Sequence, residues 1–129
     1  MDTHQLRLVL LVAAGGAIGS VARYGVAGSL DRASFPWGTF VVNLSGTFLL
    51  AFFFFLFLQR GAIPSDGRTF LFVGVFGGYT TFSTFGLETV TLFRSGTPLL
   101  GLLNIGLNGG VCLLGAFLGA AMGVLAGGG

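Results

Sequence analysis

The chain has 129 residues, 53% of them hydrophobic and only 8% charged, and its mean hydropathy is +0.94. These values exclude an ordinary soluble domain and predict an integral membrane protein. Six arginines set against four acidic residues give a net charge of +2, which is too small and too scattered to indicate a nucleic-acid partner.

Four apolar stretches are each long enough to cross a bilayer, which takes roughly 20 helical residues. They cover residues 6–26, 38–58, 69–93 and 98–125. The connections between them are short, so we expect residues 1–129 to form a single all-α domain, a compact antiparallel bundle of four transmembrane helices. The first stretch is not expected to be a cleavable signal, because the rest of the chain is just as apolar.

One polar residue in each of the first two spans needs an explanation. Arg23 lies near the end of the first span, where it either attracts ions or extends its guanidinium to the membrane surface. Asn43 lies early in the second span, where its amide either joins two helices or lines a pathway. The sequence leaves both pairs of alternatives open.

The third span contains the most informative segment, residues 77–85, which read Gly-Gly-Tyr-Thr-Thr-Phe-Ser-Thr-Phe. Inside a bilayer, non-helical backbone is tolerated only where protein or water satisfies its polar groups. Two glycines followed by four hydroxyl side chains therefore predict a broken helix that lines a polar path. We interpret this segment as part of an ion pathway.

Two phenylalanines in this segment, Phe82 and Phe85, share a helix face. Two phenylalanines at this spacing ordinarily only pack in a protein core or against lipid. Beside a hydroxyl-rich break, however, the positive ring edges can stabilise an anion without trapping it. Glu88 follows as the only acidic residue within a predicted span, and its carboxylate indicates either a proton relay or a cap for the break.

The fourth span carries Asn104, Asn108 and Cys112 at a spacing of four residues, which places them on one helix face. Amide N–H groups can donate to an anion that has lost its water, or they can hold helices together. The single cysteine excludes an intramolecular disulfide and is interpreted as packing.

Small residues also recur at a spacing of four, which lets helices approach closely in lipid. They are Gly15 and Gly19, Gly16 and Ser20, Gly74 and Gly78, Gly106 and Gly110, and Gly115, Gly119 and Gly123. Four helices packed this tightly enclose little interior, so a polar pathway is expected to need a second subunit.

Arginine excess on short loops normally sets membrane orientation. Here Arg7, Arg60 and Arg68 fall on one side of the predicted bundle. Arg23, Arg32 and Arg94 fall on the other. This tie predicts insertion in both orientations and antiparallel pairing, and the alternative is a fixed orientation set by other factors.

The chain resembles the Fluc family of fluoride channels, also called CrcB proteins, over essentially its whole length. The resemblance rests on residues 15–24, on residues 38–46 and above all on residues 77–85 followed by Glu88. It implies a dual-topology antiparallel homodimer in the cytoplasmic membrane. The dimer would have two pores, export fluoride passively from the cytoplasm and confer fluoride resistance.

The resemblance also implies residue roles. A structural Na⁺ at the dimer centre would be held by the backbone carbonyls of Gly77 and Thr80. The fluoride pathway would involve Arg23, Asn43, Phe82, Ser83, Thr84, Phe85, Glu88, Asn104 and Asn108. The family usually presents tyrosine and serine hydroxyls in its fourth span, so Asn104, Asn108 and Cys112 are a departure from its pattern.

Two other functions fit a chain of this size. A small proton-coupled multidrug exporter uses a carboxylate in its first span, and this chain has none there. A non-transporting assembly subunit would not need polar residues at matching depths in three spans. No nucleophile, base and orienting group occur together, so an enzyme is not expected.

Overall fold

The computed structural model describes residues 2–30, 34–61 and 63–128. Over these residues the chain runs along the length of a helical bundle four times, and each passage is long and apolar enough to cross a membrane. Helix α1 covers Thr3–Leu30 and α2 covers Trp37–Arg60. The third crossing is divided into α3, residues 65–79, and α4, Phe82–Arg94, and the fourth is α5, Pro98–Gly127. The predicted fold of four long apolar helices is confirmed, and the helices extend past most of the predicted span ends.

The helix ends follow the local sequence. Gly61 ends α2 in the left-handed conformation, at φ 58°, which costs glycine nothing because it has no Cβ. Gly96, at φ 79°, makes the tight turn between α4 and α5. Pro98 then begins α5 at the first helical position, where its missing N–H is not needed.

Glycine contacts set the spacing between helices. A Cβ on Gly15 in α1 would lie 2.9 Å from Gly74 Cα in α3, so these two backbones touch. A Cβ on Gly119 or Gly123 in α5 would collide with the carbonyl oxygen of Phe48 or Phe52 in α2. Close approach is therefore the reason for these glycines.

The prediction of close packing is wrong within the subunit for Gly106 and Gly110. Within the part of the chain that the structure describes, a Cβ on either glycine would meet no atom within 4 Å, and both residues are exposed. Both lie in a π-helical stretch of α5, Gly106–Val111, which begins at Gly106. Among the described residues, no other helix packs closely against these two glycines.

Two arginine contacts identify one end of the bundle. Arg7 at the start of α1 pairs with Asp66 at the start of α3, with 2.8 Å between Nη2 and Oδ2. Arg60 at the end of α2 donates to the Ala126 carbonyl at the end of α5, at 2.8 Å. Arg94 lies at the opposite end, and Arg32 lies outside the described residues.

We predict that Gly119→Ala lowers the free energy of unfolding by about 1–3 kcal/mol, because the new methyl group would meet α2 backbone that no rotamer change can move. Gly28→Ala is the control, since its Cβ would meet no atom of the described residues within 4 Å. Unfolding of both variants in detergent micelles would be followed by circular dichroism. Equal stability of the two variants would contradict the packing role of Gly119.

Candidate functional site at the helix break

The third crossing is interrupted, as residues 77–85 predicted. Thr80 and Thr81 have extended backbone, at φ −76°, ψ 156° and φ −148°, ψ 115°. Helix α4 then starts at Phe82, with Thr81 as its N-cap: Thr81 Oγ1 accepts a hydrogen bond of 3.3 Å from Thr84 N–H. The hydroxyl-rich part of the segment therefore forms the break.

The two glycines before the break have a different role from the one that the sequence indicated. Gly77 and Gly78 are both helical. A Cβ on Gly78 would lie 2.7 Å from the carbonyl oxygen of Gly16, so Gly78 is needed for contact with α1. Gly77 is exposed, and its Cβ would lie at an ordinary contact distance, 3.8 Å, from the Phe72 carbonyl oxygen.

Asn43 of α2 satisfies the backbone of the break. Its Oδ1 accepts from Thr81 N–H at 2.8 Å, and its Nδ2 donates to the Thr81 carbonyl at 3.0 Å. Both residues are buried. Since extended backbone in a bilayer needs a partner for every polar group, this paired contact is what allows the chain to leave helical geometry here.

Neighbouring residues of α2 fit around the end of α3. A Cβ on Gly46 would lie 2.5 Å from Thr80 Cγ2 and 2.8 Å from Tyr79 Cδ1, so only glycine leaves room for these two side chains. The hydroxyls of Ser45 and Tyr79 are 3.0 Å apart and share a hydrogen bond.

A chain of amides continues from Asn43 into α5 and α4. Asn43 Nδ2 donates to Asn108 Oδ1 at 2.8 Å, and Asn108 Nδ2 donates to Asn104 Oδ1 at 2.9 Å. Asn104 Nδ2 donates to Thr89 Oγ1 at 3.0 Å, and Thr89 donates to the Phe85 carbonyl at 2.8 Å. The amides of the α5 stripe thus bond to one another and to neighbouring helices.

A cavity of about 220 Å³ lies beside the break. Its lining combines amide, hydroxyl and aromatic groups from α2, α4 and α5: Asn43, Thr47, Thr80, Thr81, Phe82, Phe85, Asn108, Gly109 and Cys112. The rings of Phe82 and Phe85 meet edge to face, with centroids 5.3 Å apart and planes inclined by 68°. Phe82 is 82% exposed, whereas Phe85 is half-buried.

A second cavity of about 360 Å³ adjoins the same break, and Thr81 lines both. Its other lining residues are Ser20, Arg23, Tyr24, Ala27, Thr39, Val42, Thr84 and Glu88. Arg23 Nη1 donates to the Thr80 carbonyl over 3.4 Å, so the guanidinium points toward the break and not toward the membrane surface.

Glu88 lies between this second cavity and a third of about 350 Å³ that reaches Ser34 and Pro36 before α2. Thr39 Oγ1 donates to Glu88 Oε1 at 2.6 Å. Ser83 and Thr84 lie on the exposed side of α4, with Thr81 Oγ1 3.0 Å from Thr84 Oγ1 and 3.4 Å from Ser83 Oγ.

Sequence reasoning missed three hydroxyl residues of this site: Thr39, Thr47 and Thr89. Thr47 and Thr39 each lie four residues from Asn43, one on either side, and therefore share its helix face. That periodicity was the available signal. The sequence signal for Thr89 was weaker, because only the fold brings this residue into contact with Asn104.

The carbonyl groups near the break suit a hard cation. In a continuous helix Thr81 N–H would donate to the Gly77 carbonyl, but here it donates to Asn43, so that carbonyl loses its helical partner. Carbonyls at an unwound helix end are ligands that Na⁺ uses in membrane proteins. The Thr80 carbonyl accepts the long bond from Arg23 and keeps a second lone pair. No group of three or more His, Cys, Asp and Glu side chains that could hold a metal ion occurs among the described residues.

Comparison with known proteins identifies the family. The model of the protein family described as CrcB-like protein, Camphor Resistance (CrcB), matches residues 10–120 of this chain. The chain belongs to the CrcB-like family.

Curated relatives of this CrcB-like chain cover nearly the same length. The fluoride-specific ion channel FluC of Magnetococcus marinus is 48% identical, over 88% of this chain and 95% of that protein. The protein of the same name from Rhodospirillum rubrum is 47% identical, over 90% and 94%. That of Clostridium novyi is 36% identical, over 93% and 96%. The family expected from the motifs is confirmed, and these relatives carry the name of a channel, not of an enzyme or a multidrug exporter.

We predict that Asn43→Leu lowers the free energy of unfolding by about 2 kcal/mol or more, because it leaves the N–H and carbonyl of Thr81 buried without partners. This loss exceeds the roughly 0.6 kcal/mol typical of an interhelical side-chain bond in a membrane. Thr47→Val is the control, since Thr47 lines the same cavity and takes no part in the two bonds to Thr81. Detergent-micelle unfolding curves that place both variants at wild-type stability would contradict the role of Asn43.

Proposed function

We propose that this chain is a fluoride-selective channel that lets fluoride leave the cytoplasm passively and so confers fluoride resistance. The observation that carries the proposal is the break at Thr80 and Thr81, where hydroxyls, an amide and two phenylalanine rings line one cavity within a membrane crossing. The name shared by the curated relatives supports the choice of ion.

The lining suits a small, strongly hydrated anion. Moving such an ion into an apolar medium costs tens of kcal/mol unless polar groups replace its water. The hydroxyls around Thr81 and the amide of Asn43 supply neutral donors, and the ring edges of Phe82 and Phe85 supply weak positive potential. Neutral groups bind an anion without holding it too tightly for conduction.

Electrostatics also support the proposed route toward the break. The Arg23 guanidinium lines the second cavity next to Thr80, and Thr81 lines both this cavity and the one beside Phe82. A fixed positive charge raises the local concentration of anions. In this proposal Arg23 attracts fluoride to the break, and Glu88 lines the second cavity beside Thr39 and also the third cavity, which forms the outer part of the route.

We further propose that the working unit is an antiparallel homodimer in the cytoplasmic membrane. Ser83 and Thr84 are exposed on the subunit surface, although polar residues inside membrane spans tend to face protein or a water-filled cavity rather than lipid. Phe82 and the open glycines Gly106 and Gly110 are exposed too. A second copy would cover these groups, and the arginines divided between the two ends favour opposite orientations.

A Na⁺ ion between the two copies completes the proposal. The carbonyls of Gly77 and Thr80 in each copy would hold it, as judged from the altered bonding of both groups at the break. Bound there, the cation would offset the cost of bringing an anion into the bilayer.

Proteoliposomes loaded with fluoride test the function directly. We predict that the wild type releases fluoride only when an ionophore balances the charge. Phe82→Ile and Phe85→Ile are expected to reduce that efflux by about tenfold or more, because isoleucine keeps apolar bulk but removes the aromatic quadrupole. Phe117→Ile is the matched control, since Phe117 is 68% exposed on α5.

Efflux is read with a fluoride electrode, and chromatography of the same preparations checks that each variant is intact. Wild-type efflux from both intact Phe82 and Phe85 variants would remove these rings from the pathway. Coupled exchange of protons for an organic cation by the wild type would support an exporter instead.

Dual topology predicts that a membrane-impermeant maleimide labels roughly half of the copies at either end of the bundle. Ser65→Cys and Ser95→Cys place exposed thiols at the start of α3 and after α4, each in a Cys112→Ala background. Intact cells are labelled before and after permeabilisation. Complete labelling at one position with none at the other would show a single orientation.

A further inference from the structure

The donor that the proposed pathway needs most is already occupied within the protein. Asn43 has two side-chain N–H groups, of which one donates to the Thr81 carbonyl and the other to Asn108 Oδ1. Its own Oδ1 accepts from Thr81 N–H. Both N–H groups of this amide are therefore engaged, and an anion in the 220 Å³ cavity must displace one partner to be bound by Asn43.

The two partners of Asn43 are not equally easy to displace. Both bonds to Thr81 satisfy backbone groups of the break, which would otherwise be buried in a bilayer without partners. The bond to Asn108 joins two side chains, and no backbone group depends on it. The Asn108 bond is the one that can open without undoing the break.

Asn108 also lies in a loosely packed part of α5. It belongs to the π-helical stretch Gly106–Val111, and π-helical turns are frequent at functional sites. Gly109 and Gly110 beside it have open space around their Cβ positions. Asn108 is half-buried and lines the cavity, whereas Asn104 is fully buried.

The orientation of the Asn108 amide is set from the other side. Its Nδ2 donates to Asn104 Oδ1 at 2.9 Å and to the Asn104 carbonyl at 3.2 Å. With both N–H groups held by Asn104, the oxygen of Asn108 is directed at Asn43. Asn108 thus presents an acceptor at the break, where the amide stripe had indicated donors.

We infer that Asn108 is a positioning residue whose Oδ1 holds the outward N–H of Asn43 when no anion is present and yields it when fluoride enters the cavity. This inference rests on the proposed function. A hydrogen bond to a charged acceptor is roughly twice as strong as one to a neutral oxygen, so fluoride displaces the amide oxygen. The broken Asn108 bond weakens net binding, and weak binding favours release.

The test compares Asn108→Ala and Asn108→Leu with the wild type over a series of fluoride concentrations. Both changes remove Oδ1, and leucine keeps most of the side-chain volume. We expect the half-saturating fluoride concentration to fall about two- to tenfold in both, the range that one net hydrogen bond supplies, while maximal efflux does not rise. Leu113→Ala, on the exposed side of α5, is the control and should change neither value.

A half-saturating concentration that rises in both variants would show that Asn108 donates to the ion directly, and this would overturn the inference. An unchanged value would overturn it too. Should neither variant fold, the wild type is titrated with fluoride and followed by NMR. The inference requires the resonances of the Asn43 side-chain amide protons to shift, and unchanged resonances would overturn it. A wild type without fluoride efflux would overturn the proposed function, whereas variants that fail beside an active wild type would overturn the inference alone.

Discussion

The requirement that backbone polar groups be satisfied inside a bilayer governs this molecule. A continuous helix meets that requirement by itself, but the third crossing gives up helical geometry at Thr80 and Thr81. Asn43 repairs the loss with one accepted and one donated hydrogen bond. Without such a partner, the extended residues would leave two buried backbone groups unpaired, each at a cost of about 1–3 kcal/mol.

The same break has two electrostatic consequences. Helix α3 ends with carbonyls that lack helical N–H partners, where the partial charge of a helix end is negative, and α4 begins with N–H groups that lack helical acceptors, where it is positive. One interruption therefore offers oxygens to a cation and a positive potential to an anion. The proposed Na⁺ and fluoride sites follow from a single departure from helical geometry, which explains why they involve adjacent residues.

Packing and polarity are divided between the faces of the helices. Gly15, Gly78 and Gly119 bring backbones into contact within the subunit. The amide chain from Asn43 to Thr89 lies inside the bundle, where its donors and acceptors satisfy one another. Gly106, Gly110 and the exposed hydroxyls of Ser83 and Thr84 belong to the surface that the proposed second copy would cover.

The sequence by itself determined the membrane class, the four crossings, the interruption of the third and the family. These properties depend on composition, on periodicity and on residues adjacent in the chain, such as residues 77–85. Only the tertiary structure decided the partner of Thr81, because Asn43 lies 38 positions away. The tertiary structure also decided which way each amide points. An asparagine side chain carries both donors and an acceptor, and the sequence does not say which of them faces the break. For Asn108 the contacts with Asn104 and Asn43 determine it. For the same reason Gly115, Gly119 and Gly123 pack closely against α2 while Gly106 and Gly110 do not: equal spacing along a helix does not say which face meets a neighbour.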